Sequence, residues 1–115
     1  MRKIVALIVG LSLGTVALGA QTPDAKAAAG QKIFETQKCS QCHMIKGVGG
    51  KLSTALDDVG SKMSEADIKK WLTTPAEMEA KLAKKPVMPM STYLKSHKLT
   101  DADVEALVAY MKSLK

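Results

Sequence analysis

The sequence is poor in several residue types on which common function classes depend. Its 115 residues include two cysteines, two histidines, one tryptophan, two tyrosines and one phenylalanine, and Arg2 is its single arginine. Because the rest of the chain has no arginine and does not interleave aromatics with its lysines, we expect no nucleic-acid-binding surface. So few large side chains also leave a small domain short of core volume, so we expect a bound group or a cross-link to supplement its core.

Only one long apolar run is present, over residues 4–18. It follows Arg2 and Lys3 and is followed by Gly19 and Ala20, a pattern typical of a secretory signal peptide. The run is too short and too rich in glycine for a confident membrane-spanning helix. We therefore predict a signal peptide over residues 1–20, a short linker over 21–25 and one domain over 26–115, exported to the periplasm without stable membrane insertion.

The charge balance is mildly basic. The formal net charge of the whole chain is +6, and removal of residues 1–20 takes away Arg2 and Lys3 and leaves +4. All remaining cations are lysines. Such an excess favours solubility and can also steer the protein toward an acidic partner.

Both cysteines lie in the pentapeptide Cys39-Ser40-Gln41-Cys42-His43. Its C-x-x-C-H spacing is the pattern of covalent c-type haem attachment. On one helical turn, residues three apart share a face, so both sulfurs could reach the two vinyl groups of a porphyrin. His43 follows on the same turn, where a ring nitrogen could bind the iron.

Three other interpretations of this motif remain open on the residues alone. A thioredoxin-like redox pair needs alternating strands and helices around it, and no strand pattern is visible. A zinc site needs two further ligands, while the chain offers only His43 and the distant His97. A structural disulfide would suit an oxidising compartment, although a loop this short immobilises little chain.

The remaining sequence predicts helices and no strands. Helix starts are marked by Asp24, Ser64, Pro75 and Thr100, the last with Asp103 as a capping partner. We expect the first helix over about 25–37 and the third over about 75–83. Between residues 44 and 62, four glycines and the lack of periodicity predict an irregular loop.

A second informative segment is Pro86-Val87-Met88-Pro89-Met90. Each proline restrains the residue before it to an extended conformation, so this segment should be rigid and non-helical. It carries two thioether sulfurs. Either these methionines bind a metal or they fill gaps in the core, as methionine commonly does.

Over residues 26–115 the chain resembles the class I cytochrome c family. The likeness rests on the C-x-x-C-H motif, on Met88-Pro89, and on Gly30 and Phe34 in the first helix with Leu107 and Tyr110 in the last. The resemblance implies an all-α cytochrome c fold, in which three to five helices wrap one covalently attached haem c and the N- and C-terminal helices cross.

The resemblance also implies a set of site residues. Cys39 and Cys42 would form the haem thioethers, His43 would be the proximal iron ligand, and Met88 the distal one, with Met90 as second choice. Trp71 either packs in the core or, as a similar ring does in relatives, contacts a haem propionate. Many relatives orient the proximal histidine near a proline that this chain lacks, so we expect a backbone carbonyl near Thr54 in that role.

With both axial positions filled, the implied function is electron transfer and not enzymatic catalysis. We expect a monomeric, exported one-electron carrier whose partners are larger redox proteins such as a terminal oxidase, a reductase or a dehydrogenase. The alternative is a haem-based sensor, small-ligand binder or weak peroxidase with an open distal site. His97 lies in a polar stretch that reads as solvated surface. The lysines expected around the haem edge are Lys38, Lys46, Lys51, Lys84 and Lys85.

Overall fold

The computed structural model describes residues 22–115, which form six α-helices and one 3₁₀ turn. Residues 22–115 contain no strand, and only an isolated bridge joins Ile45 and Val48. The predicted all-α class is confirmed, with more helices than the expected three to five because two short helices, α2 and α5, carry no strong sequence signal. The elements are α1 (Pro23–Thr36), the 3₁₀ turn (Cys39–Gln41), α2 (Val59–Lys62), α3 (Glu65–Thr73), α4 (Pro75–Glu79), α5 (Met90–Ser96) and α6 (Asp101–Ser113).

The first helix begins earlier than its sequence predicts. Thr22 is the N-cap, its side-chain oxygen accepting a hydrogen bond from the Ala25 amide at 3.2 Å, and Pro23 is the first helical residue. The prediction that Asp24 caps the helix is therefore wrong. A residue before proline is held in the extended conformation that an N-cap also needs, so the proline makes Thr22 the cap. The helix thus starts inside the predicted linker over 21–25.

The later helix starts agree with their signals. Ser64 caps α3 through the Asp67 amide at 3.1 Å, and Thr100 and Asp103 form a complete capping box at the start of α6. Helix α4 starts at Pro75 but ends at Glu79, short of the predicted residue 83. Its end continues in i to i+3 hydrogen bonds, the tighter spacing in which many helices terminate.

The core is built where α1 packs on α6. A Cβ added to Gly30 would lie 2.6 Å from the carbonyl carbon of Ala106 and 2.7 Å from Cβ of Tyr110, so the two backbones meet at this glycine. The rings of Phe34 and Tyr110 pack edge to face with centroids 5.9 Å apart, and Leu107 is only 2% exposed. The contacts expected between the first and last helices are therefore present.

Helix α2 is tied to the end of α6. The Gly60 amide donates to the Leu114 carbonyl at 2.7 Å, and the Lys112 ammonium donates to the carbonyls of Gly60 at 2.7 Å and Met63 at 3.1 Å. These bonds satisfy carbonyls that the end of a short helix leaves without partners. The segment over 44–62, predicted to be irregular, is thus fixed to the core at its far end.

The predicted signal peptide over residues 1–20 lies outside the described residues. In the part of the chain that the structure describes, no helix combines the length and the apolar character that crossing a bilayer requires.

Candidate functional site

The two cysteines and His43 lie on a single tight turn, which we call the cysteine turn (residues 39–43). The amides of Cys42 and His43 both donate to the Cys39 carbonyl, at 3.2 Å and 3.0 Å. Lys38, in the left-handed region with φ 56°, redirects the chain from α1 into this turn. The predicted placement of the motif on one turn is confirmed.

The two thiols are half-buried and not joined in a disulfide. Burial raises the pKa of the Cys39 thiol above its usual value, and the nearby Cys42 adds to this, while a backbone hydrogen bond acts in the opposite direction. The sulfur is therefore held as a neutral thiol. Among residues 22–115 no three histidine, cysteine or acidic side chains converge as metal ligands would, which argues against the zinc interpretation.

The ring of His43 is fixed by the backbone of the following loop. Its Nδ1 lies 2.9 Å from the carbonyl oxygen of Thr54. Because a carbonyl can only accept, Nδ1 carries the hydrogen, which leaves Nε2 as the ring nitrogen that could bind a metal. A ligating histidine has its second nitrogen held in this manner. The contact with Thr54 is the one expected from the sequence, and it supplies the orienting group in a loop without proline.

The glycine-rich loop packs directly on the cysteine turn. The Gly50 amide donates to the Ser40 carbonyl at 2.7 Å, and the Ser53 amide donates to the Cys42 carbonyl at 3.0 Å. A Cβ added to Gly50 would lie 2.7 Å from the Gln41 carbonyl carbon, closer than real side chains approach. The loop can therefore carry Thr54 to His43 only because no side chain separates it from the turn.

The two candidate methionines differ in their surroundings. Met88 lies in the extended segment between Pro86 and Pro89 with 55% of its surface exposed, whereas Met90 is half-buried and begins α5. The alternative that both fill the core does not hold for Met88. Its assignment as the iron ligand, with Met90 second, stays a prediction.

Other candidate residues take defined places. Trp71 is half-buried on α3, and its contact with a haem propionate stays a prediction. The prediction that His97 lies on the solvated surface is wrong. Its side chain is half-buried because its ring stacks on Tyr93, with ring centroids 3.9 Å apart. Its Nδ1 also lies 3.1 Å from the Tyr93 carbonyl. The predicted docking lysines are all exposed: Lys38, Lys46, Lys51, Lys84 and Lys85.

Two contacts near the site carry no sequence signal. The Tyr93 hydroxyl donates to the Gln37 carbonyl at 2.7 Å, linking α5 to the residues that precede the cysteine turn. The Glu79 carboxylate accepts from both the amide and the hydroxyl of Ser91. Burial raises the pKa of the Tyr93 phenol, and the nearby Cys39 and Cys42 add to the effect, so this hydroxyl remains a donor at neutral pH.

The donor set fits a covalently attached haem. Two unpaired thiols three residues apart can form thioethers, and the tautomer of His43 leaves Nε2 available for iron. At Gly50 the loop backbone lies so close to the cysteine turn that a side chain would not fit between them. No part of this arrangement needs another metal or a disulfide to explain it.

Comparison with known proteins agrees with this reading. Cytochrome c oxidase subunit 2 of Alkalihalophilus pseudofirmus is 26% identical over 94 residues, covering 75% of this chain and 25% of that protein. The chain thus spans about a quarter of the length of this relative. No solved structure matches the chain.

A family match covers most of the chain. Residues 27–115 match the family described as Cytochrome c. The matched range includes the cysteine turn, residues 86–90 (the methionine segment) and all of α6. This family binds haem c covalently and its members generally transfer electrons between redox partners. Together with the all-helical fold and the ligand-ready His43, the match establishes that this chain belongs to the cytochrome c family, as a class I monohaem cytochrome.

Proposed function

We propose that this protein is an exported, monomeric carrier of single electrons between larger redox proteins, and that it is not itself an enzyme. The observation that carries the proposal is the cysteine turn, in which two free thiols and a histidine whose Nδ1 contacts the Thr54 carbonyl occupy the attachment and ligand positions of the haem motif. The bound haem supplies one-electron redox chemistry.

The chain's own residues would hold and shield that group. Cys39 and Cys42 would tether it, the Thr54 carbonyl keeps the His43 ring oriented, and the Met88 thioether would supply a second ligand. A histidine and a methionine as the two ligands would raise the reduction potential relative to stronger donors. With both ligands supplied by the protein, a substrate would have no place on the iron, so the chemistry would be electron transfer to a partner.

The N-terminal pattern supports export to the periplasm, and the lysines support an acidic partner. Lys38, Lys46 and Lys51 flank or follow the cysteine turn, and Lys84 and Lys85 precede the methionine segment. The likeness to part of a cytochrome c oxidase subunit makes a terminal oxidase the first partner to test. Attraction between opposite charges would speed the encounter and weaken as salt screens it.

We therefore expect electron transfer to slow as ionic strength rises. The second-order rate constant between the reduced protein and a purified bacterial terminal oxidase should fall about tenfold between about 10 mM and 200 mM NaCl, because the Debye length shrinks over this range. Stopped-flow absorption of the haem measures the rate. A rate constant that does not change with salt would contradict the charge-steered docking.

A matched pair of double variants tests which lysines contribute. Lys84→Gln with Lys85→Gln removes two charges beside the methionine segment, and Lys69→Gln with Lys70→Gln removes two charges from exposed neighbours on α3. Both change the net charge equally. We expect only the first pair to lower the rate at low salt, and equal losses in both would point to net charge in place of a docking surface.

A further inference from the structure

Glu79, the last residue of α4, holds the start of α5 by two hydrogen bonds. One carboxylate oxygen accepts from the Ser91 amide at 2.8 Å and the other from the Ser91 hydroxyl at 2.7 Å. The Ser91 amide lies in the first turn of α5, where amides have no partner within the helix. Both contacts are partly buried, so water competes less for them than at the surface.

This contact closes the segment that carries both methionines. Residues 80–90 leave the end of α4 and return at α5, so Glu79 and Ser91 form a clasp across its two ends. The segment also lies against α4, because a cavity of about 240 Å³ is lined by residues from both. The lining residues are Ala76, Glu79, Ala80, Lys85, Pro86 and Pro89.

The start of α5 is also anchored to the residues just before the cysteine turn. Tyr93, two residues after Ser91 on α5, donates its hydroxyl to the Gln37 carbonyl, just before Lys38 and Cys39. The start of α5 is therefore connected on one side to α4 and on the other to Gln37, two residues before Cys39. Movement of the start of α5 away from α4 must therefore break the Glu79 contact.

We propose that Glu79 is a positioning residue that keeps segment 80–90 closed and thereby keeps the distal methionine in place. The inference rests on the proposed function, in which Met88 of this segment is the distal ligand. A carboxylate that accepts two hydrogen bonds holds its donors more strongly than a neutral acceptor does. Pro86 and Pro89 restrain the backbone on either side of Met88. Glu79 holds the end of the same segment at Ser91.

Two readouts report on the clasp, one of which does not involve the iron. Lys81 and Lys84 lie in the segment and are exposed, so trypsin cleavage after them measures how often the segment opens. The rate at which carbon monoxide binds to the reduced protein measures how often the distal side opens. For Glu79→Ala we expect both rates to rise about tenfold, because both hydrogen bonds to Ser91 are lost.

Matched variants separate positioning from general stability. Glu77→Ala removes an exposed acid from the same helix and should leave both rates unchanged. Glu79→Gln keeps an acceptor for the Ser91 amide and should restore most of the protection. Ser91→Ala removes only the hydroxyl and should raise both rates about threefold, and it remains informative if Glu79→Ala does not fold.

The outcomes distinguish this inference from the ligand assignment. If Met88→Ala binds carbon monoxide promptly while Glu79→Ala and Ser91→Ala behave as wild type in both assays, the role of Glu79 is overturned and the ligand assignment stands. If Met88→Ala binds carbon monoxide no faster than wild type, the ligand assignment fails. Trypsin cleavage then still decides whether Glu79 closes the segment.

Discussion

A Met88→Ala variant is expected to lose the low-spin ferric spectrum of the wild-type protein completely, whereas Met90→Ala keeps it. Met88 stands in the extended segment between two prolines and is 55% exposed, so its thioether is not committed to the protein core. Met90 is half-buried as the first residue of α5. The measurement is the visible absorption of the ferric protein, together with carbon monoxide binding by the reduced form.

A third methionine provides the control. Met78 is half-buried on α4, outside the proline-flanked segment, and Met78→Ala should leave the spectrum unchanged. Loss of the low-spin signature in Met90→Ala alone would move the distal ligand to Met90. A high-spin ferric spectrum already present in the wild-type protein, and unaffected by either substitution, would instead support the open-site alternative, a sensor, small-ligand binder or weak peroxidase.

Replacing Gly30 with alanine is expected to destabilise the folded protein by about 3 kcal/mol, the upper part of the range for overpacking a core. The added Cβ would overlap the backbone of Ala106, and its carbonyl cannot move without shifting α6. On an exposed helical position the same substitution would be stabilising, by about 1 kcal/mol. Denaturant unfolding of the haem-loaded protein, followed by circular dichroism, gives the free energy of unfolding.

The neighbouring position tests whether the effect belongs to the helix contact. Gln31 is exposed on α1, and Gln31→Ala should change the free energy of unfolding by no more than about 0.5 kcal/mol. If Gly30→Ala proved as stable as the wild type, the close approach of α1 and α6 would not limit the residue at position 30.

Local chemistry explains which features the sequence predicts. The haem motif is contained in five consecutive residues, and the α6 capping box in four, so both signals are complete without tertiary information. The orientation of His43 by Thr54 was also predicted, because a ligating histidine needs a fixed second nitrogen and the glycine loop follows directly.

Features that depend on distant partners could not be predicted in this manner. The contact of Tyr93 with Gln37 joins residues 56 apart, and neither residue carries a pattern that names the other. Helix α5 is seven residues long and starts beside a proline, so it is too short to show the periodic pattern of apolar residues that predicts a helix. At the start of α1, Thr22 and Asp24 are both residue types that cap helices. Thr22 is the cap because Pro23, which follows it, occupies the first helical position.

Lys38 and Lys46, two of the exposed lysines near the cysteine turn, both have a left-handed backbone conformation. Both have positive φ, 56° and 50°, a conformation that costs a non-glycine residue about 1 kcal/mol or more. A glycine variant would relieve that strain and also remove the positive charge. The free energy of unfolding would rise while the attraction to an acidic partner weakened, and the two effects would be mixed in one variant. Glutamine at these two sites keeps the conformational penalty constant and isolates the electrostatic contribution.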